Sequence, residues 1–295
     1  MALVDKLKPV TPKSVRRSIR SARMRVRLST PARVLPHFLV LGAQRCGTSS
    51  LYKYLGRHPC IAPSLRKEVG YFTSSYGEDV GWYRAHFPLE ARAKLMAKAG
   101  QQLLSFEATP DYLLHPLAPA RVMQLLPDAR FVVLLRDPVD RAFSHYLHMR
   151  RLGFETRTFE RAIEEEPMTV ATDLARIHLD AGHDPKQFHR FSYAARSRYV
   201  EQLERWMNAF PRERFLVLDS SALYSDPRRT YQEILRFLGL PGWSPKQFSN
   251  HSYVGSPAPA APSMHPELRH QLTERFAEAN QGLAELVGRD FPWNE

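Results

Sequence analysis

The sequence predicts an α/β domain with a central parallel sheet flanked by helices. Three observations carry this. Short, wholly apolar runs closed by turn residues recur along the chain, and helix-spaced patterns separate them. Runs without polar alternation belong to strands buried on both faces, which is the signature of a parallel sheet covered on each side. The length, 295 residues at 43% hydrophobic, suits one large domain with a substantial core.

The elements follow in order. A basic leader, disordered or an amphipathic helix, occupies 1–36 and gives way to the folded domain, 37–295, near the prolines at Pro31 and Pro36. Phe38-Leu-Val-Leu41 reads as a buried strand closed by Gly42, and Thr48 to Leu55 as a helix stopped by Gly56. Leu103 to Phe106 is a second strand, Leu117 to Leu126 a helix, and Phe131-Val-Val-Leu-Leu135 the clearest strand in the chain. Pro138 opens the next helix, at the favoured first-turn position, and that helix runs to about Arg150. Tyr193 to Phe210 has the spacing of a long amphipathic helix with Tyr199, Leu203 and Trp206 on one face. Phe215 to Leu218 is a strand, Thr230 to Leu238 a helix, Ser256 to Pro262 a loop, and His265 to Leu286 a terminal helix.

Two cysteines, Cys46 and Cys60, cannot staple a fold, so a reducing compartment is expected. With no apolar run of membrane-spanning length and no apolar signal core, the expectation is a soluble cytoplasmic protein, peripheral at a membrane at most. The net charge of +12 is uneven: ten Lys or Arg and the single acid Asp5 lie within 1–36. Such a leader is either solvated and disordered or a membrane-surface helix, since Val15, Ile19, Ala22 and Val26 recur at helical spacing among arginines. An anionic membrane is then the partner expected for the leader, and nucleic acid is not expected.

Two motifs carry chemistry. Gly42-Ala-Gln-Arg-Cys-Gly-Thr-Ser-Ser50 lies between a strand and a helix with the G-x-x-x-x-G spacing of a phosphate-binding loop. Its amides and the helix N-terminus favour an oxyanion. The lysine that would support a magnesium nucleotide is missing, and the cation, Arg45, sits inside the loop. The plainer alternative is an ordinary glycine turn. Arg136-Asp-Pro-Val-Asp-Arg-Ala-Phe-Ser144 leaves the strongest strand, so that Arg136 and Ser144 can converge on one phosphate. The alternative there is helix capping by Asp137 with a salt bridge from Arg141.

Together these segments resemble the sulfotransferases that use 3′-phosphoadenosine 5′-phosphosulfate (PAPS). Lys67-Glu-Val-Gly-Tyr-Phe72, Phe106-Glu-Ala-Thr-Pro-Asp-Tyr112, Arg198 to Trp206 and Leu286 to Phe291 follow in the order seen in heparan sulfate N- and 3-O-sulfotransferases. The resemblance implies a P-loop nucleoside triphosphate hydrolase-like fold, and PAPS as cosubstrate with no metal. It makes Glu68 the catalytic base and sets Arg45 beside the transferring group. It implies a 5′-phosphosulfate cradle of Arg45, Cys46, Gly47, Thr48 and Ser49, and a 3′-phosphate pair of Arg136 and Ser144. The implied reaction is in-line sulfuryl transfer to a hydroxyl or amine of a glycan, glycolipid or small molecule. Ala108 stands where that family carries a lysine and Gly70 where it carries a histidine, while the C-terminal cofactor loop is replaced by Ser256 to His265. Lys67 is then expected to supply charge at the acceptor, and Glu107 to contact it or serve as a rival base. The competing functions are a P-loop small-molecule kinase and a non-catalytic module that holds anionic polymers.

Overall fold

The computed structural model describes residues 24, 26–29, 32–180, 183–248 and 263–293. Five strands, β1 (Phe38–Gly42), β2 (Ile61–Pro63), β3 (Leu104–Ala108), β4 (Arg130–Leu135) and β5 (Phe215–Asp219), form one sheet in the order β2-β3-β1-β4-β5. Every pair is parallel. β1 and β3 are buried at all five positions; β1 accordingly reads as an unbroken apolar run, while β3 also encloses Ser105 and Glu107. Aromatic rings fix the register from strand to strand: Phe38 stacks on Phe106 at 4.9 Å and Phe131 on Phe215 at 4.8 Å.

The helices in chain order are α1 (Thr48–Leu55), α2 (Val80–Arg84), α3 (Glu90–Lys98), α4 (Asp111–Leu114), α5 (Ala118–Leu125), α6 (Pro138–Arg151), α7 (Phe159–Glu164) and α8 (Glu166–Leu179). They continue with α9 (Lys186–Phe191), α10 (Tyr199–Met207), α11 (Ser220–Ser225), α12 (Pro227–Leu238), α13 (Pro266–Ala279) and α14 (Leu283–Val287). The chain leaves β1, builds β2 and β3 on one side of it, then crosses to β4 on the other. The carboxyl ends of β1, β3 and β4 therefore surround the point where the strand order reverses, the usual ligand crevice of such sheets.

Most expected elements are present within a residue or two. Two are not as the periodicity predicts. The helix expected from Tyr193 to Phe210 begins only at Tyr199, after a 3₁₀ turn over Ala195–Ser197. Tertiary bonds claim its first residues: Glu166 accepts from the amides of Ala194 (2.5 Å) and Ala195 (2.8 Å), and Arg141 donates to Ser197 Oγ at 2.7 Å. The terminal helix breaks at Asn280, whose side chain accepts from Tyr199 N (2.7 Å) and donates to Ser197 O (2.9 Å). One asparagine thus ends α13 and starts α10. Of the leader stripe, Val15, Ile19 and Ala22 lie outside the described residues; Val26 is helical and 62% exposed. The loop expected at Ser256 to Pro262 also lies outside them. Arg33, within the segment assigned to the leader, is buried against the body.

Candidate active site

The loop after β1 is tied to the next strand by Ala43 N, which donates to Leu134 O at 2.6 Å. Arg45 (φ 72°) and Gly47 (φ 87°) both take left-handed backbone, so the chain curls before entering α1. At the N-terminus of α1, the amides of Thr48 and Ser49 have no acceptor within the helix by position. Cys46 does something else. Its amide closes the loop on Ala43 O (3.2 Å), and burial pushes its thiol up to about 12. It packs the loop as a neutral, fully buried side chain.

At Gly47 a Cβ would stand 2.8 Å from the Tyr224 hydroxyl and 3.3 Å from Leu223. Gly47→Ala therefore combines a left-handed alanine, about 1–2 kcal/mol, with a clash at the mouth of the loop. The expected result is a melting temperature lowered by several degrees and no further rise on adding the bisphosphate nucleotide PAP. Thermal melts of both proteins, with and without PAP, check it.

Beyond β4, Asp137 caps α6 by accepting from Asp140 N at 2.7 Å. Arg136, Asp140, Ser144 and His148 then fall four residues apart, a single row on one helix face. The Arg136 carbonyl accepts from the Tyr199 hydroxyl at 2.7 Å, which fixes the strand end. Its guanidinium lies 3.5 Å from Asp140, and Arg269 of α13 pairs with the same carboxylate. Arg45 reaches across from the β1 loop, and its Nε donates to Ser144 Oγ at 3.1 Å. His148 is lowered by burial and by the charges of Arg45 and Arg151, with Glu68 near enough to oppose them. The row thus joins the two motifs and the expected base.

Glu68 sits in a turn that continues β2. Its amide donates to Ala108 O at 3.0 Å, and Gly70 N donates to Thr109 Oγ1 at 3.3 Å, so the turn is pinned to the end of β3. Arg66 braces it by donating to Val69 O at 3.1 Å. Glu68 has φ 60° and Gly70 φ 72°; the second is backbone that glycine adopts without cost. The Glu68 side chain is 58% exposed, and Lys67 Nζ forms a tight ion pair with its Oε1. Arg45 and Glu68 are the non-glycine residues with positive φ among the described residues. Backbone held in this region clusters at functional sites.

Glu107 is placed differently. It is fully buried; Oε1 accepts from the hydroxyls of Tyr83 (2.6 Å) and Tyr112 (2.9 Å), and Oε2 from Thr109 (2.7 Å). Burial raises its pKa and the three hydroxyls pull it partly back. The carboxylate is engaged as a hub behind the site and presents no oxygen to an acceptor in this arrangement.

The sequence reading missed a polar cluster beside α6. Arg196 Nη2 lies 2.5 Å from Asp111 Oδ1, and His189 Nδ1 lies 3.4 Å from Oδ2. Burial opposes ionisation of Asp111, but Arg196 and His189 prevail and hold it well below the usual carboxylate range. His145, fully buried, packs edge-on to Tyr193 at 4.9 Å and is lowered first by burial, then by Arg141 and Arg196. The one signal for this cluster was Asp111 in the Pro-Asp-Tyr stretch. A separate 640 Å³ groove between α7 and α13, lined by Glu160, Glu164, Leu268 and Arg275, contains none of the motif residues. Its acidic side chains Glu160, Glu164 and Glu267 suit a nucleotide poorly.

Residues 35–256 match the sulfotransferase domain family, and the chain belongs to that family. Its domain is a sulfotransferase domain on a P-loop-like α/β fold. It is 26% identical to the membrane-associated sulfotransferase kil1 of Dictyostelium discoideum over 88% of this chain and 66% of that protein. It is 28% identical to the human bifunctional heparan sulfate N-deacetylase/N-sulfotransferase 3 over 70% of this chain, and spans only 22% of that protein. The crystal structure of a sulfotransferase from Alicyclobacillus acidocaldarius superposes with a TM-score of 0.64 at 29% identity, covering 89% of this chain and all of that one.

Proposed function

We propose that this chain transfers a sulfuryl group from PAPS to a hydroxyl or amine on a glycan or glycolipid acceptor, with Glu68 as general base. The observation that carries this reading is the convergence of Arg45 and Glu68. Both are held in left-handed backbone on loops that follow different strands; Arg45 bonds Ser144 of α6, and the turn of Glu68 is pinned to Ala108 at the end of β3, the strand beside β1. The acceptor proton passes to the Glu68 carboxylate as the acceptor oxygen attacks sulfur in line. The bond from sulfur to the 5′-phosphate oxygen breaks, and the charge that develops on that oxygen meets Arg45 and the first amides of α1. Lys67 fixes where the Glu68 carboxylate stands. Arg136 and Ser144 hold the 3′-phosphate, with Asp140 orienting the arginine. The glycan class rests on the likeness to the heparan sulfate enzyme.

Two measurements test this. PAP at about 100 times Kd should stabilise the fold by about 2.7 kcal/mol without added metal; a larger thermal shift with magnesium ATP than with PAP would favour a kinase instead. Turnover with labelled PAPS over a panel of glycan, glycolipid and small-molecule acceptors identifies the acceptor, and transfer to small molecules alone overturns the glycan assignment.

A further inference from the structure

The described end of the leader is lashed to the segment that precedes α3. Arg27 donates to Phe87 O at 2.5 Å and also to Ala85 O. Arg33 Nη1 donates to Phe87 O at 2.8 Å, Val34 N to Pro88 O at 3.1 Å, and Glu90 N to Ala32 O at 3.0 Å. Arg33 and Leu89 form an antiparallel bridge. Arg27 and residues 32–34 therefore lie beside the segment that enters α3.

α3 itself buries none of its nine residues. Met96 packs partly buried against the core and accounts for its inner face, yet Leu95 is 69% exposed and Leu89, at its N-cap, 36%. On the leader side Val26 is 62% exposed and Leu28 49%. These four are close to half of the nine large apolar side chains exposed among the described residues, gathered on two segments tied to each other. Cations accompany them: Arg92, Lys94 and Lys98 on α3 against Glu90, and ten Lys or Arg against Asp5 across the leader.

We infer that the leader and α3 form one docking surface for an anionic lipid bilayer. The excess of positive charge selects an anionic partner. The apolar side chains select lipid over a polyanion, because a nucleic acid or a sulfated polymer offers leucine nowhere to insert while a headgroup layer does. The surface is thus broader than the leader helix: α3, part of the folded body, supplies half of it and sets the angle at which the body meets the membrane. Leu65 N donates to His86 O at 2.7 Å, so the same 85–90 segment also supports the strand end leading to Lys67 and Glu68.

Co-sedimentation of the full chain with phosphatidylcholine vesicles, with and without phosphatidylserine, tests this. The protein should pellet with the phosphatidylserine vesicles and not with phosphatidylcholine alone. Leu95→Glu should weaken that binding by about tenfold or more, and since Leu95 is exposed its melting temperature should match the parent. Leu28→Glu should act in the same direction from the other segment. Undiminished pelleting of Leu95→Glu would confine binding to the leader and overturn the joint surface. Retention of the parent on heparin or duplex DNA without vesicle binding would make this a polyanion site and overturn it too.

Discussion

Glu68→Gln should lower the turnover number by about 10²–10⁴-fold, the usual span for losing a general base, while PAP binds almost as tightly as before. The substitution keeps the shape of the side chain and removes its basicity. The affinity is spared because the donor contacts proposed above come from the β1 loop and α6. Glu107→Gln is the comparison that gives the result its meaning. The amide it introduces would face three hydroxyls that now donate to a carboxylate. Breaking a buried, charge-assisted network of this kind costs about 1–3 kcal/mol, so Glu107→Gln should show a lowered melting temperature with turnover per folded molecule largely kept. Single-turnover rates at saturating PAPS, together with melts of both proteins, separate the roles. A Glu68→Gln enzyme of near-normal rate beside a folded but inactive Glu107→Gln would move the base to Glu107.

Arg136→Ala should weaken PAP by roughly 10- to 150-fold, the equivalent of about 1.5–3 kcal/mol for a charge-assisted bond, and leave the analogue without a 3′-phosphate nearly unaffected. The structure sharpens this expectation. Arg136 lies 3.5 Å from Asp140, and Arg269 also pairs with that carboxylate. Removing Arg136 therefore does not strand Asp140 without a counter-charge, and the loss reports the phosphate contact more than local repair. Isothermal titration with both nucleotides gives the two affinities. Equal losses would show that Arg136 serves the strand end and not the ligand.

Three strands were legible because their bodies are unbroken apolar runs, with charge only at an end: Phe38–Gly42, Arg130–Leu135 and Phe215–Asp219 announce themselves. Ile61–Pro63, an edge strand of three residues, carries too little pattern to be read. α3 was illegible for the opposite reason, since it buries none of its residues fully and so has little periodicity to show. The late start of α10 was hidden because its causes, Arg141, Glu166 and Asn280, lie far away in sequence. In the site, the motif spacings delivered Arg45, Glu68, Arg136 and Ser144 to one crevice. They did not reveal that the Cys46 amide is used inside the loop, or that Glu107 is enclosed by hydroxyls. Nor did they reveal Asp111 beside Arg196. Side-chain reach and burial decide those points, and neither is written in local order.

The bond from Arg45 to Ser144 has a consequence for how the energetics of donor binding divide. In the proposed assignment the two residues serve opposite ends of the nucleotide, yet their side chains bond to each other. Groups in direct contact do not contribute independently; coupling energies of about 0.5–3 kcal/mol are usual for such pairs. Under the proposed roles the two phosphate subsites form a single thermodynamic unit, in which the grip on one end of the donor already contains part of the grip on the other.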